Sequence, residues 1–396
     1  MSGFRVSTRA ANPRVLCLSH RDIAPVISRC GMYEFEDVVS AIDAVDVIAP
    51  ADAPDPADAG GSARNAVRTF HRLGVKAVRR MEVKLETAIP NGGRRRPPTD
   101  IGDGYELLFV SAQSPLDIYN LGSMEMWRST ARASICYIDE LYARDVSKLG
   151  DLLKVLRRFD HLFVSVRATV ESLEHATGRP CHFLAPSTDA LKFCPYPMDH
   201  ERVIDFYAMG GSPPETHKAL LRIAEASDWY YMYDTVTNCR VSSHEQHRSR
   251  LADLIKRSRF FLVTPVRWHD PERTGGEQEM GLRYFEGAAG GAVLIGVAPA
   301  CASFMEYLGW EDSVIPLPLN SGDIAHVIAE LEADPGRLDR ISKNNVVNSL
   351  RRNDHVYRWA QILATAGLAE TEQMADRRRQ LEDRAVSIEH TMSEVH

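Results

Sequence analysis

The residues best suited to chemistry stand in one short stretch, 281–296. Within it, Arg283 and Glu286 are three positions apart, which places them on one face of a predicted helix. A carboxylate is a fixed acceptor for two neighbouring hydroxyl groups, such as those of a ribose, and a forked guanidinium suits a diphosphate. The helix ends at Gly290 and Gly291, and an apolar run short enough for a buried parallel strand follows. The stretch predicts a nucleotide site at a helix–strand junction. Ordinary helix–strand packing and a surface salt bridge are the alternatives.

Other glycines and cations are spaced to reach the same ligand. Gly276 precedes the helix, and Gly210 and Gly211 follow an apolar run that predicts a strand. Because a glycine has no side chain, it lets backbone N–H groups come close to a phosphate or a sugar. A flexible loop over 267–276 is the alternative for the first of these. The further candidate cations for a diphosphate are Lys218 and Arg240, each also explained as a solvated charge.

The first half of the chain offers candidates for an acid–base role at the ends of its predicted strands. In a doubly wound sheet, residues just past the carboxyl ends of strands face the ligand. This rule selects Asp139 as the first candidate for a base that deprotonates a hydroxyl acceptor, and His20 as the second. Each of them is also explained as a helix cap or a loop residue. The same rule selects Gln113 and Glu140.

Metal chemistry has little support in the sequence. The 14 His residues are dispersed. His244 and His247 are three positions apart in the run His-Glu-Gln-His, with no third ligand evident near them. H-E-x-x-H, Walker A and G-x-S-x-G motifs are absent from the sequence. We therefore expect no bound metal, and we interpret 244–247 as the start of a helix.

Length and composition limit the class of protein. A chain of 396 residues predicts two domains, and 44% hydrophobic with 26% charged residues is typical of a globular enzyme or binding protein. A net charge of -7 argues against a nucleic-acid partner. No apolar run reaches the roughly 20 residues that cross a bilayer, and residues 1–14 lack the apolar centre of a secretory signal. We expect a cytoplasmic protein whose seven scattered cysteines are reduced thiols.

Apolar runs alternate with amphipathic segments, which predicts an α/β fold with parallel sheets covered on both faces. Strands are predicted at 15–19, 45–49, 106–112, 134–138, 161–166, 182–184, 204–209, 229–234, 260–264, 292–296 and 313–316. Helices are predicted at 35–42, 66–80, 216–226, 247–257, around Glu286 and at 323–332. Polar loops are predicted at 50–62 and 90–104. The second loop holds Arg94, Arg95 and Arg96, which either meet an anionic acceptor or lie solvated.

The segment between the two halves, 184–195, has a recognisable spacing. Its marker residues are Pro186, Asp189, Phe193 and Pro195. The segment resembles the linker of GT-B glycosyltransferases, in which Pro-x-Gly-x-Asp precedes Phe-x-Pro. The chain resembles this superfamily over most of 106–368, including the stretch 281–296 and an aromatic-rich segment at 355–360. The run Arg-Tyr-Phe-Glu at 283–286 is similar to the Arg-x-Phe-Glu of a bacterial glycosyl-transferase-family-1 branch related to spore-maturation glycosyltransferases.

The resemblance implies two Rossmann-like domains that face a central cleft. It implies an N-terminal acceptor-side domain over 1–188, a donor domain over 189–354, and C-terminal helices over 355–396, the first of which returns to the N-terminal domain. It also implies that Glu286 binds the ribose of the donor. Retaining members often have a second glutamate eight positions earlier. This chain has Gln278 there, with Glu279 beside it, so inversion and retention both stay open.

The implied activity is transfer of a sugar from a nucleotide-diphosphate sugar to a hydroxyl acceptor. The implied acceptor is a cell-envelope or exopolysaccharide glycan, or its lipid-linked precursor. No metal is implied, since the D-x-D motif of GT-A enzymes is absent. The alternatives are a nucleotide-sugar epimerase of the same fold and a non-enzymatic bilobal protein that binds a nucleotide or a sugar.

The tail, 371–396, is highly charged but patterned. Its apolar residues recur on one helical face and are Met374, Leu381, Ala385, Ile388, Met392 and Val395. This spacing predicts an amphipathic helix that packs on the chain's own domains. A homodimer contact is the second interpretation, and peripheral contact with a membrane surface is the third.

Overall fold

The computed structural model describes residues 4–21, 26–50, 101–121, 127–197, 201–234 and 241–393. These residues form two compact units. The first takes its described residues from Met1–Pro25, Val39–Leu184 and Ala360–Thr371, and the second from Val26–Val38, Ala185–Trp359 and Glu372–His396. The predicted helix at 66–80 and nearly all of the two predicted loops lie outside the described residues.

The first unit is built on a seven-stranded sheet. Its strands are β1 (Phe4–Thr8), β2 (Val15–Leu18), β3 (Val45–Pro50), β4 (Tyr105–Ala112), β5 (Ala131–Ile138), β6 (His161–Val164) and β7 (Cys181–Phe183). Their spatial order is β1-β3-β2-β4-β5-β6-β7, and all neighbours are parallel except β1 and β3. Strand β2 is buried along its whole length, as in a parallel sheet covered on both faces. The sequence does not predict β1, because a short edge strand with polar alternation carries little apolar signal.

The helices of the first unit follow its strands. They are the second part of α1 (Cys30–Ile42), then α2 (Ala143–Val146), α3 (Leu152–Leu156) and α4 (Thr169–Thr177), with a 3₁₀ helix at Pro115–Leu121. Helix α1 belongs to the second unit up to Val38. The sequence does not predict that the chain passes from one unit to the other within α1, because a single periodic segment indicates a single helix.

The second unit is built on five parallel strands. They are β8 (Ile204–Ala208), β9 (Tyr231–Tyr233), β10 (Ser258–Val263), β11 (Val293–Gly296) and β12 (Ile315–Pro316). Their spatial order is β12-β11-β10-β8-β9. Each strand pair therefore has its carboxyl ends at the same edge, where a doubly wound sheet binds its ligand.

The remaining helices follow in chain order. They are α5 (Ala190–Phe193), α6 (Pro214–Ala226), α7 (His244–Lys256), α8 (Pro271–Thr274), α9 (Leu282–Ala289), α10 (Ala302–Leu308), α11 (Ile324–Glu332), α12 (Pro335–Arg352), α13 (His355–Thr365) and α14 (Glu372–Ser393). They belong to the second unit, except that the residues of α13 from Ala360 onward belong to the first. The interpretation of 244–247 as a helix start is confirmed: Ser243 caps α7 by accepting a hydrogen bond from the N–H of Gln246 at 3.1 Å. Helix α9 packs closely on the sheet at Gly287. A Cβ atom added there would lie 2.8 Å from the ring of Phe261, so the close approach requires glycine.

The tail helix α14 packs against α12. Met374, Leu381 and Ala385 are fully buried on it. At its surface, Arg351 of α12 binds the carboxylates of Glu382 and Glu389. The described apolar face of α14 is thus buried, as expected for packing on the chain's own residues. No helix in the described ranges is long and apolar enough to cross a membrane.

Candidate functional site

The carboxyl ends of β8 and β9 meet at a glycine. Gly210, just past β8, has a left-handed φ of 75°, and its N–H donates to Oδ2 of Asp234 at 2.8 Å. Asp234 itself follows β9. A side chain on Gly210 would collide with Nη2 of Arg283, from the first turn of α9. The guanidinium therefore lies against the backbone at the end of β8, in a space that only glycine leaves open.

Arg283 is a cation without an acceptor of its own. Its side chain is partly buried, and among the residues that the structure describes it donates no hydrogen bond. Burial lowers the pKa of Arg283, and the carboxylates of Glu286 and Asp234 act in the opposite direction. The N-cap residue of α9 is Gly281, which has no side chain to accept from the first N–H groups of the helix. A partly buried cation at an uncapped helix N-terminus favours an anionic ligand.

Glu286 lies one turn further along α9 and is 1% exposed. Its Oε1 accepts a hydrogen bond from Nη1 of Arg248, on α7. Its Oε2 is buried and has no donor within the described ranges. Leaving a buried acceptor without a donor costs about 1–3 kcal/mol, and more for a charged group. A ligand hydroxyl is one group that can supply the missing donor, and the ribose role of Glu286 stays a prediction.

Arg248 joins Glu286 to a second buried carboxylate, which the sequence did not select. Nη2 of Arg248 donates to Oε2 of Glu34, on α1, at 2.8 Å, and the two side chains are 3% and 1% exposed. Nζ of Lys192 donates to Oε1 of Glu34, also at 2.8 Å. Burial alone would lower the pKa of Arg248, but the carboxylates of Glu286 and Glu34 raise it. Burial alone would raise the pKa of Glu34, but Arg248 and His355 hold it well below its usual range.

His247 stands next to Arg248 in the chain and shares its surroundings. Its Nδ1 is buried and has no hydrogen-bond partner in the described part of the chain. Burial and the neighbouring Arg248 cation lower the pKa of His247. The lowered pKa favours the neutral ring, and both Arg248 and Glu286 act electrostatically on it.

Glu279, which stands beside the position where retaining members often have a second glutamate, lies in the second unit. Glu279 is buried, and its Oε2 accepts from Oγ of Ser303, on α10, at 3.0 Å. Oε1 of Gln278 accepts from the N–H of Ala300 at 3.3 Å. Glu277 was not predicted, yet its Oε2 is buried without a partner among the described residues. Burial and the nearby Glu279 raise the pKa of Glu277. The segment before α9 thus presents acidic groups, and the donor-binding role of Glu279 stays a prediction.

The remaining predicted donor residues are more exposed. Lys218 pairs with Glu215 on the surface of α6 at 2.8 Å, so the structure shows it as a surface ion pair. Gly211 and Gly276 have open space where a side chain would stand, and Gly276 has a left-handed φ of 85°. The donor-binding roles of these residues stay predictions. Arg240 and 94–96 lie outside the described residues.

In the first unit, candidates that follow predicted strands contact residues at the ends of neighbouring strands. Nδ1 of His20 lies 2.9 Å from the carbonyl oxygen of Ser111, and its Nε2 lies 2.9 Å from that of Asp117. The N–H of Glu140 donates to the carbonyl oxygen of Gln113 at 2.7 Å. A neutral imidazole has one N–H and one lone pair, so it donates a hydrogen bond to only one of two carbonyl oxygens. The role of His20 as the second candidate for the base stays a prediction.

Asp139 follows β5 at the same edge and is partly buried. Its Oδ1 accepts from the hydroxyl of Tyr137 at 2.9 Å, and its backbone carbonyl accepts from Oγ of Ser165. One carboxylate oxygen is therefore fixed by the strand that carries it. The role of Asp139 as the base stays a prediction.

The His-Glu-Gln-His run gains a partner that the sequence did not reveal. Nε2 of His244 lies 2.6 Å from Oδ2 of Asp37 on α1, and a ligand atom of Glu245 completes a group whose members lie within 4.8 Å of one another. The sequence does not reveal Asp37 as a potential ligand beside His244, because α1 brings it from 207 positions away. The expectation that no metal is bound stays a prediction. The other histidine of the run, His247, is not part of this group.

Comparison with known proteins bears on the fold. No protein-family model matches the sequence, and no curated protein does. The solved structure of Anabaena HepE in complex with UDP aligns with a TM-score of 0.52 at 11% identity, over 89% of this chain and 99% of HepE. Trehalose-6-phosphate synthase OtsA aligns with a TM-score of 0.52 at 10% identity, over 91% of this chain and 100% of OtsA. The UDP-forming α,α-trehalose-phosphate synthase of Burkholderia vietnamiensis gives 0.50 at 12% identity, over 89% and 99%.

These alignments span both units and confirm the predicted fold class, the α/β fold of GT-B glycosyltransferases with parallel sheets. At 10–12% identity they show the fold alone. The resemblance to one bacterial branch of the superfamily stays a prediction.

Proposed function

We propose that this protein is a glycosyltransferase that binds a nucleotide-diphosphate sugar at the carboxyl edge of its five-stranded sheet. The observation that carries the proposal is Arg283. Its guanidinium lies against Gly210 at the end of β8 and has no hydrogen-bond acceptor within the described ranges. A forked cation at the ligand-binding edge of such a sheet suits a diphosphate.

Two neighbouring features fit the rest of a nucleotide. The N-terminus of α9 adds its helix dipole to the charge of Arg283, and both stabilise the negative charge that develops on a leaving diphosphate. One turn on, Oε2 of Glu286 has no donor among the described residues, and a ribose hydroxyl would supply one. These groups provide the positive charge from the chain itself, which supports transfer without a metal ion.

The transfer step needs a hydroxyl acceptor. If the reaction inverts the anomeric centre, a base must remove the proton of that hydroxyl, and Asp139 is our candidate for it. By resemblance to the superfamily branch, we propose as acceptor a cell-envelope or exopolysaccharide glycan, or its lipid-linked precursor.

Calorimetric titration with UDP, GDP, dTDP and CMP, and with their common sugar conjugates, tests the donor site. We expect one nucleotide family to bind, and Arg283→Met to weaken its binding by about 10- to 100-fold through loss of charge-assisted hydrogen bonds. Arg259→Met is the comparison, because a cation already paired with Asp205 and Glu332 in the same unit should leave the affinity within about 2-fold. Equal losses in both variants, or binding that is insensitive to Arg283, would contradict the site. Epimerised sugar and free nucleotide, formed without any acceptor, would favour the epimerase instead.

A further inference from the structure

The most deeply buried ionic group of the second unit is the row Glu34–Arg248–Glu286. Arg248 donates to Glu34 at 2.8 Å through Nη2 and to Glu286 through Nη1, and none of the three side chains is more than 3% exposed. Thr188 adds a weaker contact to Nη2 at 3.4 Å. The three members come from α1, α7 and α9, so the row fixes these helices relative to one another.

Burial makes this row an expensive way to hold helices together. Removing charged groups from water costs several kcal/mol for each ion, and an apolar cluster of the same size is often at least as stabilising. What an ion pair provides and an apolar cluster does not is a carboxylate held in one orientation. The row Glu34–Arg248–Glu286 is therefore suited to holding a carboxylate in one orientation.

The unpaired atoms of the row show which carboxylate that is. Both oxygens of Glu34 are bound, by Lys192 and by Arg248. In contrast, Oε2 of Glu286 and Nε of Arg248 are buried without partners in the described part of the chain, and so is Nδ1 of the adjacent His247. Glu34 is the carboxylate whose two oxygens are both bound, and Glu286 is the one with an unused oxygen. A vicinal diol can donate to such a carboxylate and accept from such an N–H group.

We propose that Arg248 and Glu34 are positioning residues, which hold Oε1 of Glu286 so that its Oε2 accepts a hydrogen bond from a ribose hydroxyl of the nucleotide. The inference rests on the proposed function, since it concerns the ribose of the same donor. Arg248 acts through Glu286, and Glu34 acts through Arg248. Because Glu286 is 1% exposed, a ribose reaches it only after neighbouring side chains move.

The test compares each nucleoside diphosphate with its 2′-deoxy form. Dissociation constants for UDP against 2′-deoxy-UDP, and for GDP against 2′-deoxy-GDP, are measured by calorimetry. We expect the wild type to prefer the ribose form of its nucleotide by about 10-fold or more, the usual scale for one charge-assisted hydrogen bond. Glu286→Gln should remove most of that preference.

The decisive variant is the double substitution Glu34→Gln, Arg248→Met, which removes one positive and one negative charge and so leaves fewer unpaired buried charges than Arg248→Met alone. We expect its ribose preference to fall to about 2-fold or less, with 2′-deoxynucleotide affinity within about 3-fold of wild type. Arg248→Lys keeps a cation and should give an intermediate preference. The control is Arg259→Met, because Arg259 bridges Asp205 and Glu332 in the same unit and should leave the ribose preference unchanged.

The outcomes separate the two proposals. If the folded double variant keeps the full ribose preference while Glu286→Gln loses it, the positioning role is overturned and the donor site stands. If the wild type binds both sugar forms equally, Glu286 does not contact the ribose and the inference fails. If no nucleotide binds to the wild type at all, the proposed function fails with it. Circular dichroism melting checks that each variant is folded.

Discussion

Replacing Gly210 by alanine tests the geometry of the corner between β8 and α9. Gly210 has a φ of 75°, a conformation that costs an L-residue about 1–2 kcal/mol. For a unit of this size, each kcal/mol lowers the melting temperature by about 2–4 °C. The added methyl group would also collide with Nη2 of Arg283, which is the end of a flexible side chain. The guanidinium therefore moves, and we expect nucleotide affinity to fall by about 10-fold, or about 1.4 kcal/mol.

Another glycine of the second unit provides a matched control. Gly322 has no heavy atom within 4 Å of where a side chain would begin, and its φ is outside the left-handed region. Gly322→Ala should therefore change stability by no more than about 0.5 kcal/mol and leave affinity unaltered. Melting curves and nucleotide titrations of both variants provide the comparison. If the two alanine variants bind nucleotide equally well, Arg283 does not bind the ligand from its position against Gly210, and the reasoning about this corner is wrong.

Three further predictions address the chemistry and the buried charges. If the enzyme inverts the anomeric centre, Asp139→Asn should lower turnover by about 10²–10⁴-fold with nucleotide affinity retained; normal turnover would move the role to His20 or Glu140, and a product of retained configuration would remove the need for a base. Turnover should survive EDTA, and loss of activity that Mn²⁺ restores would contradict transfer without a metal. Because the pKa of Glu34 is held below its unfolded value, its contribution to stability is present above about pH 4.3 and is lost as the pH falls through the folded pKa. The melting-temperature advantage of the wild type over Glu34→Gln should therefore shrink between pH 7 and pH 3.

The fold could be predicted from local patterns, because a buried parallel strand is a continuous apolar run and a helix start has a capping residue. Those signals located most strands and the start of α7 at Ser243. They failed for β1, a short edge strand, and for the crossing inside α1, where one continuous helix serves two units. A crossing within a helix leaves no break in periodicity for the sequence to show.

The candidate site could be predicted only in part. The spacing of Arg283 and Glu286 was visible, since both lie on one helix. Arg248 was not, because its partners stand 214 and 38 positions away and no periodicity links them. The strand-end rule placed His20 just past the carboxyl end of β2, as the structure has it. It could not predict which carbonyl groups surround the His20 ring, and these determine how the ring is oriented. Long-range contacts of single polar side chains are the part of a structure that local patterns do not contain.

We propose that two residues on one face of helix α9 bind different parts of a nucleotide, and the packing of this helix gives the reason. Gly287 lets the helix lie close to the sheet, against Phe261. At that distance Arg283, in the first turn, meets the end of β8 at Gly210, while Glu286, one turn later, is directed to Arg248 instead of to Arg283. The salt bridge between Arg283 and Glu286 that their spacing permits does not form, because each has a separate environment. Under this proposal Arg283 is available to bind an anion, and Oε2 of Glu286 is available to accept a hydrogen bond from a hydroxyl group.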